Sequence, residues 1–201
     1  ITVSGKKMTV QEVVSIVEQD QLFYRNSGGG VTVSGGEPLA QSEFTFQLLR
    51  LCKEKGIDTA LDTCGQVSWE VLKRVLPYVD LVLYDIKHMD SEQHRRETGV
   101  GIEQIHANIL RMEKKKIKTW LRVPLISGYN DFDENFKMLA ELGKRINAER
   151  ISILLYHEWG SEKYKQIGKQ YTYQPNAPPS ERLEALASII RKQGLTVTVD
   201  D

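Results

Sequence analysis

The chain has 201 residues, 27 basic against 27 acidic side chains and no net charge, which argues against a partner such as long nucleic acid or an anionic membrane. With 40% hydrophobic residues it has the composition of a folded domain, and a chain this long buries roughly 70% of its unfolded surface, enough for one full core and too little for two; a single domain over 1–201 is expected. Two cysteines, Cys52 and Cys64, cannot build a disulfide framework, no apolar run nears the roughly 20 residues of a membrane span, and no leader pattern opens the chain, so a cytoplasmic protein is expected.

Helical and strand patterns then alternate. Thr9 and Glu12 have the spacing of a capping box, and Val10, Val13, Val14 and Val17 recur at helical period up to about Asp20. Gly28 to Gly30 break the chain before a short β-branched strand, Val31 to Ser34, bounded by Gly35 and Gly36. Ser42 is placed to cap a helix through Leu48, Leu49 and Cys52 that stops at Gly56. Strands follow at Ile57 to Asp62, Leu81 to Asp85, Thr119 to Val123, Arg150 to Leu155 and Thr196 to Val199; helices at Ser68 to before Pro77, Gly101 to Lys116, Asp133 to Ile146 and Ser180 to Gln193. Parallel neighbours need such long connections, so the fold class is α/β with a mostly parallel sheet. Cys52, Trp69, Trp120 and Phe23-Tyr24 read as core or rim. The last helix buries Leu183, Leu186, Ile189 and Ile190, and Lys114 to Lys116 with Lys118 read as a solvated helix end.

Parallel β/α folds carry their chemistry at the carboxyl ends of the strands. Here those ends deliver Gly35-Gly36-Glu37-Pro38, Asp62-Thr63-Cys64-Gly65, Asp85-Ile86-Lys87, Arg122 ahead of the loop from Pro124 to Asp131, and Tyr156-His157-Glu158. Each has a plain alternative: glycines make turns, Asp62 and Asp85 can cap helices, and His157 can be a surface histidine. Their conjunction favours one polar mouth, because charged groups persist in such a place only when they pair or bind something polar.

The segment Ser27-Gly28-Gly29-Gly30-Val31-Thr32-Val33-Ser34-Gly35-Gly36-Glu37-Pro38-Leu39 closely resembles that of glycyl-radical-enzyme activating enzymes of the pyruvate formate-lyase type, which are radical S-adenosylmethionine (SAM) proteins. Asp62 to Gly65, Asp85 to Lys87 with Asp90, His94 and Thr98-Gly99, Arg122 through Asn130-Asp131, and Tyr156-His157 with Gly160 and Lys163-Tyr164 continue the likeness in the family's order. The resemblance implies a partial (β/α)6 TIM-like barrel that binds SAM against a four-iron four-sulfur cluster. It implies a partner glycyl radical enzyme, whose backbone glycine gives up a hydrogen atom, and flavodoxin or ferredoxin as electron donor. It also places Gly35, Gly36 and Glu37 at the methionyl ammonium and Lys87, Arg122 and His157 at the carboxylate and ribose side. Asp62 and Asp85 fall near the methionyl carboxylate, with a monovalent cation held by them and by the carbonyls of Thr63 and Leu83.

One feature departs from the family. Its cluster is held by a CxxxCxxC loop after the first strand, and this chain has none. The chain opens on Ile1, so it is expected to be the C-terminal portion of such an enzyme, missing its first strand and inactive alone. Strand Val31 to Ser34 should then show an exposed edge, self-association through it, or a local rearrangement of the Gly28 to Glu37 segment. Two rivals stand beside this reading. One is a barrel isomerase or aldolase with Glu37, Asp62, Asp85 and His157 around a divalent metal; the other is a cluster-free module that docks on the partner enzyme.

Overall fold

The structure is a computed structural model that describes residues 5–156, 164, 166, 168–170 and 178–200. Strands β1 (Gly30–Val33), β2 (Asp58–Thr63), β3 (Leu81–Asp85), β4 (Lys118–Pro124), β5 (Arg150–Leu154) and β6 (Val197–Asp200) lie side by side in chain order, all parallel, in one open sheet. A two-residue turn cannot reverse the chain between parallel neighbours, so each gap carries helix. Among the described residues the longer helices are α1 (Val10–Gln19) and α2 (Gln21–Ser27) ahead of the sheet, then α3 (Ser42–Glu54), α4 (Trp69–Val75), α5 (Ser91–Thr98), α6 (Glu103–Glu113), α7 (Asp133–Arg145) and α8 (Ser180–Lys192). This is the sequential winding of a partial barrel.

Burial alternates along the strands. Leu61, Val82, Tyr84, Leu121, Val123, Ile151 and Ile153 are buried in the main core with Leu49, Leu72, Ile105, Ile109, Phe136, Leu139, Leu186 and Ile190 of the helices. Ala60 and Asp62, Leu81, Leu83 and Asp85, and Trp120 and Arg122 take the alternate positions and stay half-buried. With a period of two, one strand face packs on helices while the other lines the concave side. A smaller core of Val14, Leu48, Cys52 and Ile57 seats α1 against α3. At the start of β1, a side chain on Gly30 would overlap the Asp58 carbonyl, so the close β1–β2 approach requires glycine there.

The capping box at Thr9 and Glu12 forms, and Ser68 Oγ accepts from Val71 N at 3.4 Å to start α4. Two expectations need correction, the cap at Ser42 and the burial of Phe23, and two helices, α2 and α5, lie where the sequence pattern predicts none. Ser42 does not cap α3: it already has helical angles, because a short 3-10 turn over Pro38–Gln41 precedes it and Glu37 is the cap. Two helices lacked an apolar stripe. In α2 no residue is buried and Phe23 is 69% exposed, so Phe23 is neither core nor rim, and in α5 only His94 is buried. Helix α5 is set instead by its ends, the Asp90 carboxylate accepting from Gln93 N at 2.8 Å and Gly99 closing it at φ +84°. The edge of β1 away from β2 carries no strand among the described residues, and residues 5–29 supply only α1 and α2, as expected of an unpaired edge. No helix among the described residues is long and apolar enough to cross a membrane.

Candidate active site at the carboxyl ends of the strands

The loop after β1 is tied to the end of β2 through one carboxylate. Glu37 Oε1 accepts from Thr63 Oγ1 at 2.8 Å and from Leu39 N at 3.1 Å, and Oε2 accepts from Cys64 N at 3.0 Å and from the Cys64 thiol at 3.2 Å. A carboxylate offers about four lone-pair sites, so that of Glu37 is committed within the protein. Burial pushes the Cys64 thiol up from its ordinary pKa, and Glu37 adds to the rise. The loop is clamped from outside as well, since Asn108 Nδ2 donates to the carbonyls of Gly65 at 2.9 Å and Val67 at 2.7 Å. Gly65 sits at φ +70°, where any side chain would overlap the Tyr84 hydroxyl.

Asp62, Asp85 and Arg122 project from β2, β3 and β4 to the concave side. Register sets Asp85 beside Arg122, and the guanidinium bridges both carboxylates: Nε donates to Asp85 Oδ1 at 3.0 Å and Nη1 to Asp62 Oδ2 at 3.2 Å. Ser34 Oγ, from the end of β1, adds a bond to Asp62 Oδ2 at 2.7 Å. The three charged side chains are only 22%, 15% and 19% exposed for Arg122, Asp62 and Asp85, which puts them in the partly desolvated regime where removing one partner is costly. Burial pushes the Asp85 carboxyl up from its ordinary pKa, Asp62 adds to that, and Arg122 and Lys87 oppose it. Neither aspartate caps a helix.

Lys87 follows β3 and faces a cleft of about 400 Å³ that it lines with Thr98, Pro124, Ile126 and Tyr129, a size typical of small-ligand pockets at roughly 300–1,000 Å³. Among the described residues its ammonium makes no ion pair or hydrogen bond. The adjoining His88 is buried and accepts from Asp90 N at 2.9 Å through Nδ1, which fixes the neutral ring as its state here; burial lowers its pKa. The structure thus brings Glu37, Asp62, Asp85, Lys87 and Arg122 to one mouth, with the glycine loop at its rim. His157, Gly160 and Lys163 lie outside the described residues. Ser34 was legible only as a strand end and Asn130 only as part of a loop; hydrogen-bond partners across the fold give them their places, and linear spacing does not encode those.

A one-sided parallel half-barrel with its polar cluster at the strand ends defines a class of enzyme scaffold rather than one reaction. The comparisons are more specific. The family model of the radical SAM superfamily matches residues 2–143, and the chain belongs to that superfamily. It is 40% identical over 204 residues to the choline trimethylamine-lyase activating enzyme of Oleidesulfovibrio alaskensis, covering 99% of this chain and 66% of that protein. It is 42% identical over 168 residues to the isethionate sulfite-lyase activating enzyme of the same organism, covering 83% and 54%. The crystal structure of a domain of pyruvate-formate lyase-activating enzyme from Bacteroides vulgatus superposes with a TM-score of 0.73 at 31% identity, covering 86% of this chain and 99% of that one. The chain spans 66% and 54% of the length of the two curated relatives.

Membership implies SAM and a four-iron four-sulfur cluster, and the two fit this chain differently. The mouth offers carboxylates, cations and main-chain carbonyls of a glycine loop, the groups a zwitterionic amino acid with a nucleoside needs. The cluster does not fit: the sequence has two cysteines, of which Cys52 is fully buried in α3 and Cys64 is turned toward Glu37, while such clusters take several thiolates converging on one point.

Proposed function

We propose that this chain is the SAM-binding portion of a glycyl-radical-enzyme activating enzyme whose cluster ligands lie outside it. The observation that carries the reading is the meeting of Asp62, Asp85, Lys87 and Arg122 beside the Gly35-Gly36-Glu37 loop, in a chain of the radical SAM superfamily whose relatives are activating enzymes. Bound beside a reduced cluster, SAM would supply the radical chemistry by which hydrogen is taken from a glycine of the partner enzyme. The residues of this chain bind and orient. The Gly35, Gly36 and Glu37 segment meets the methionyl ammonium through main-chain carbonyls, since the Glu37 carboxylate is committed to Thr63, Cys64 and Leu39. Lys87 and Arg122 meet the carboxylate and ribose side, with His157 assigned there from the sequence pattern. Asp62 and Asp85, with the carbonyls of Thr63 and Leu83, are the proposed holders of a monovalent cation. Such an ion shares their charge with Arg122, so potassium or sodium should strengthen SAM binding. Flavodoxin or ferredoxin as reductant and a cytoplasmic setting complete the proposal.

The divalent-metal rival gains no support. Its histidine ligand, His157, lies outside the described residues, and the cations of Lys87 and Arg122 share the mouth with Asp62 and Asp85, which repels a divalent ion more strongly than a monovalent one. The test is to extend the chain to the length of its relatives, load the cluster anaerobically and reduce it with SAM present. Formation of 5'-deoxyadenosine, followed by a glycyl radical signal on a candidate partner, is expected. Cluster-loaded protein that binds SAM yet yields no 5'-deoxyadenosine on reduction contradicts the proposal. The 201-residue chain alone should yield none.

A further inference from the structure

Two buried amides tie the loop after β3 to the loop after β4. Asn130 has no exposed surface. Its Nδ2 donates to the carbonyl of Lys87 at 2.8 Å and to that of Pro124 at 2.7 Å, while its Oδ1 accepts from Ile126 N at 2.8 Å. The main-chain carbonyl of Asn130 accepts from Asn135 Nδ2 at 2.9 Å, and Asn135 Oδ1 accepts from Met89 N at 2.8 Å. The relay therefore grips the β3 loop on both sides of His88, at Lys87 and at Met89. Only a carboxamide gives two donors and an acceptor from one short side chain; an ionised aspartate donates nothing and a serine donates once.

The grip bears most on Lys87. Arg122 is held in place by its own side-chain partners, Asp62 and Asp85. The Lys87 ammonium has no hydrogen-bond partner among the described residues and lies within electrostatic reach of Asp85, so the place of its backbone sets the volume that its side chain can sample. That backbone is fixed from the β4 loop by Asn130 and, one bond further, from α7 by Asn135. We propose that Asn130, backed by Asn135, is a positioning residue that sets the Lys87 ammonium in register with the anionic end of the bound ligand. The inference rests on Lys87 being a SAM contact, as proposed above.

A double-mutant cycle read by calorimetric titration of SAM into the cluster-loaded, full-length protein tests it. Lys87→Met and Asn130→Ala should each weaken SAM binding by about tenfold, the size of one well-placed hydrogen bond or ion contact. The double variant should bind no more weakly than either alone, because a positioning residue has nothing left to position. Asn135→Ala carries the same cycle where Asn130→Ala does not fold. If Asn130→Ala or Asn135→Ala still costs its full factor in the Lys87→Met background, the amide acts independently of Lys87 and the inference falls while the role of Lys87 stands. If Lys87→Met leaves SAM affinity unchanged, the role of Lys87 falls first, and the inference with it.

Discussion

The same strands end in two kinds of polar cluster. At their amino ends, Arg150 stacks its guanidinium 3.6 Å over the ring of Trp120, whose indole Nε1 donates to Glu149 at 2.6 Å. A cleft of about 630 Å³ opens there beside Gly28 to Gly30 and Asp58. At the carboxyl ends, Arg122, two residues along the same face of β4, reaches back across β3 to β2 and binds a carboxylate on each. The lower arginine rests on the ring of one adjoining strand. The upper one joins separate strands in a partly desolvated mouth, an arrangement that adds little to stability and leaves each member dependent on the others. That difference supports the proposal that the carboxyl end is the working end, although the cleft at the other end is larger.

Arg122→Ala is the harshest test of the contrast. It leaves Asp62 and Asp85 facing each other with little solvent, so thermal or urea unfolding should show a loss of about 3–5 kcal/mol. The loss should shrink in acid, where the carboxyls protonate. A loss no larger than that of Arg150→Ala would remove the distinction between the two ends.

Acid should act on the same end in the intact chain. Burial lowers the pKa of His88, beside the mouth, and of His106 on α6. The unfolded chain therefore binds protons that the folded one refuses, and stability rises with pH across that interval. Unfolding followed by fluorescence should show stability falling as pH drops through the ordinary histidine value of about 6.5. His88→Asn should flatten the fall; an unchanged slope in that variant would separate His88 from the effect.

Arg150→Ala has the smallest predicted effect. A stacked cation on an aromatic ring is worth about 0.5–1 kcal/mol where water reaches it, so the melting temperature should move little and SAM affinity not at all. A loss of SAM affinity in this variant would show that the lower cleft takes part in binding.

Much of this was legible along the chain because parallel β/α folds convert order into position. Asp62, Asp85, Lys87 and Arg122 each fall at the end of an apolar strand, and strand ends of one sheet share one rim. What stayed illegible depends on contacts between segments. The commitment of Glu37 to Thr63 and Cys64 joins residues 26 and 27 positions apart, and the hold of Asn130 on Lys87 spans 43. Helix α5 escaped notice because it buries one histidine and no apolar stripe, so only its caps betray it. Helix α2 escaped because it leaves Leu22 and Phe23 in solvent.

The most direct measurement is the titration of SAM into the cluster-loaded protein and into its Asp85→Asn, Arg122→Ala and Arg150→Ala variants. One equivalent should bind, much more weakly when Asp85 or Arg122 is changed and unaltered when Arg150 is changed. Undiminished binding in both Asp85→Asn and Arg122→Ala would contradict the assignment of the carboxyl-end mouth as the SAM site.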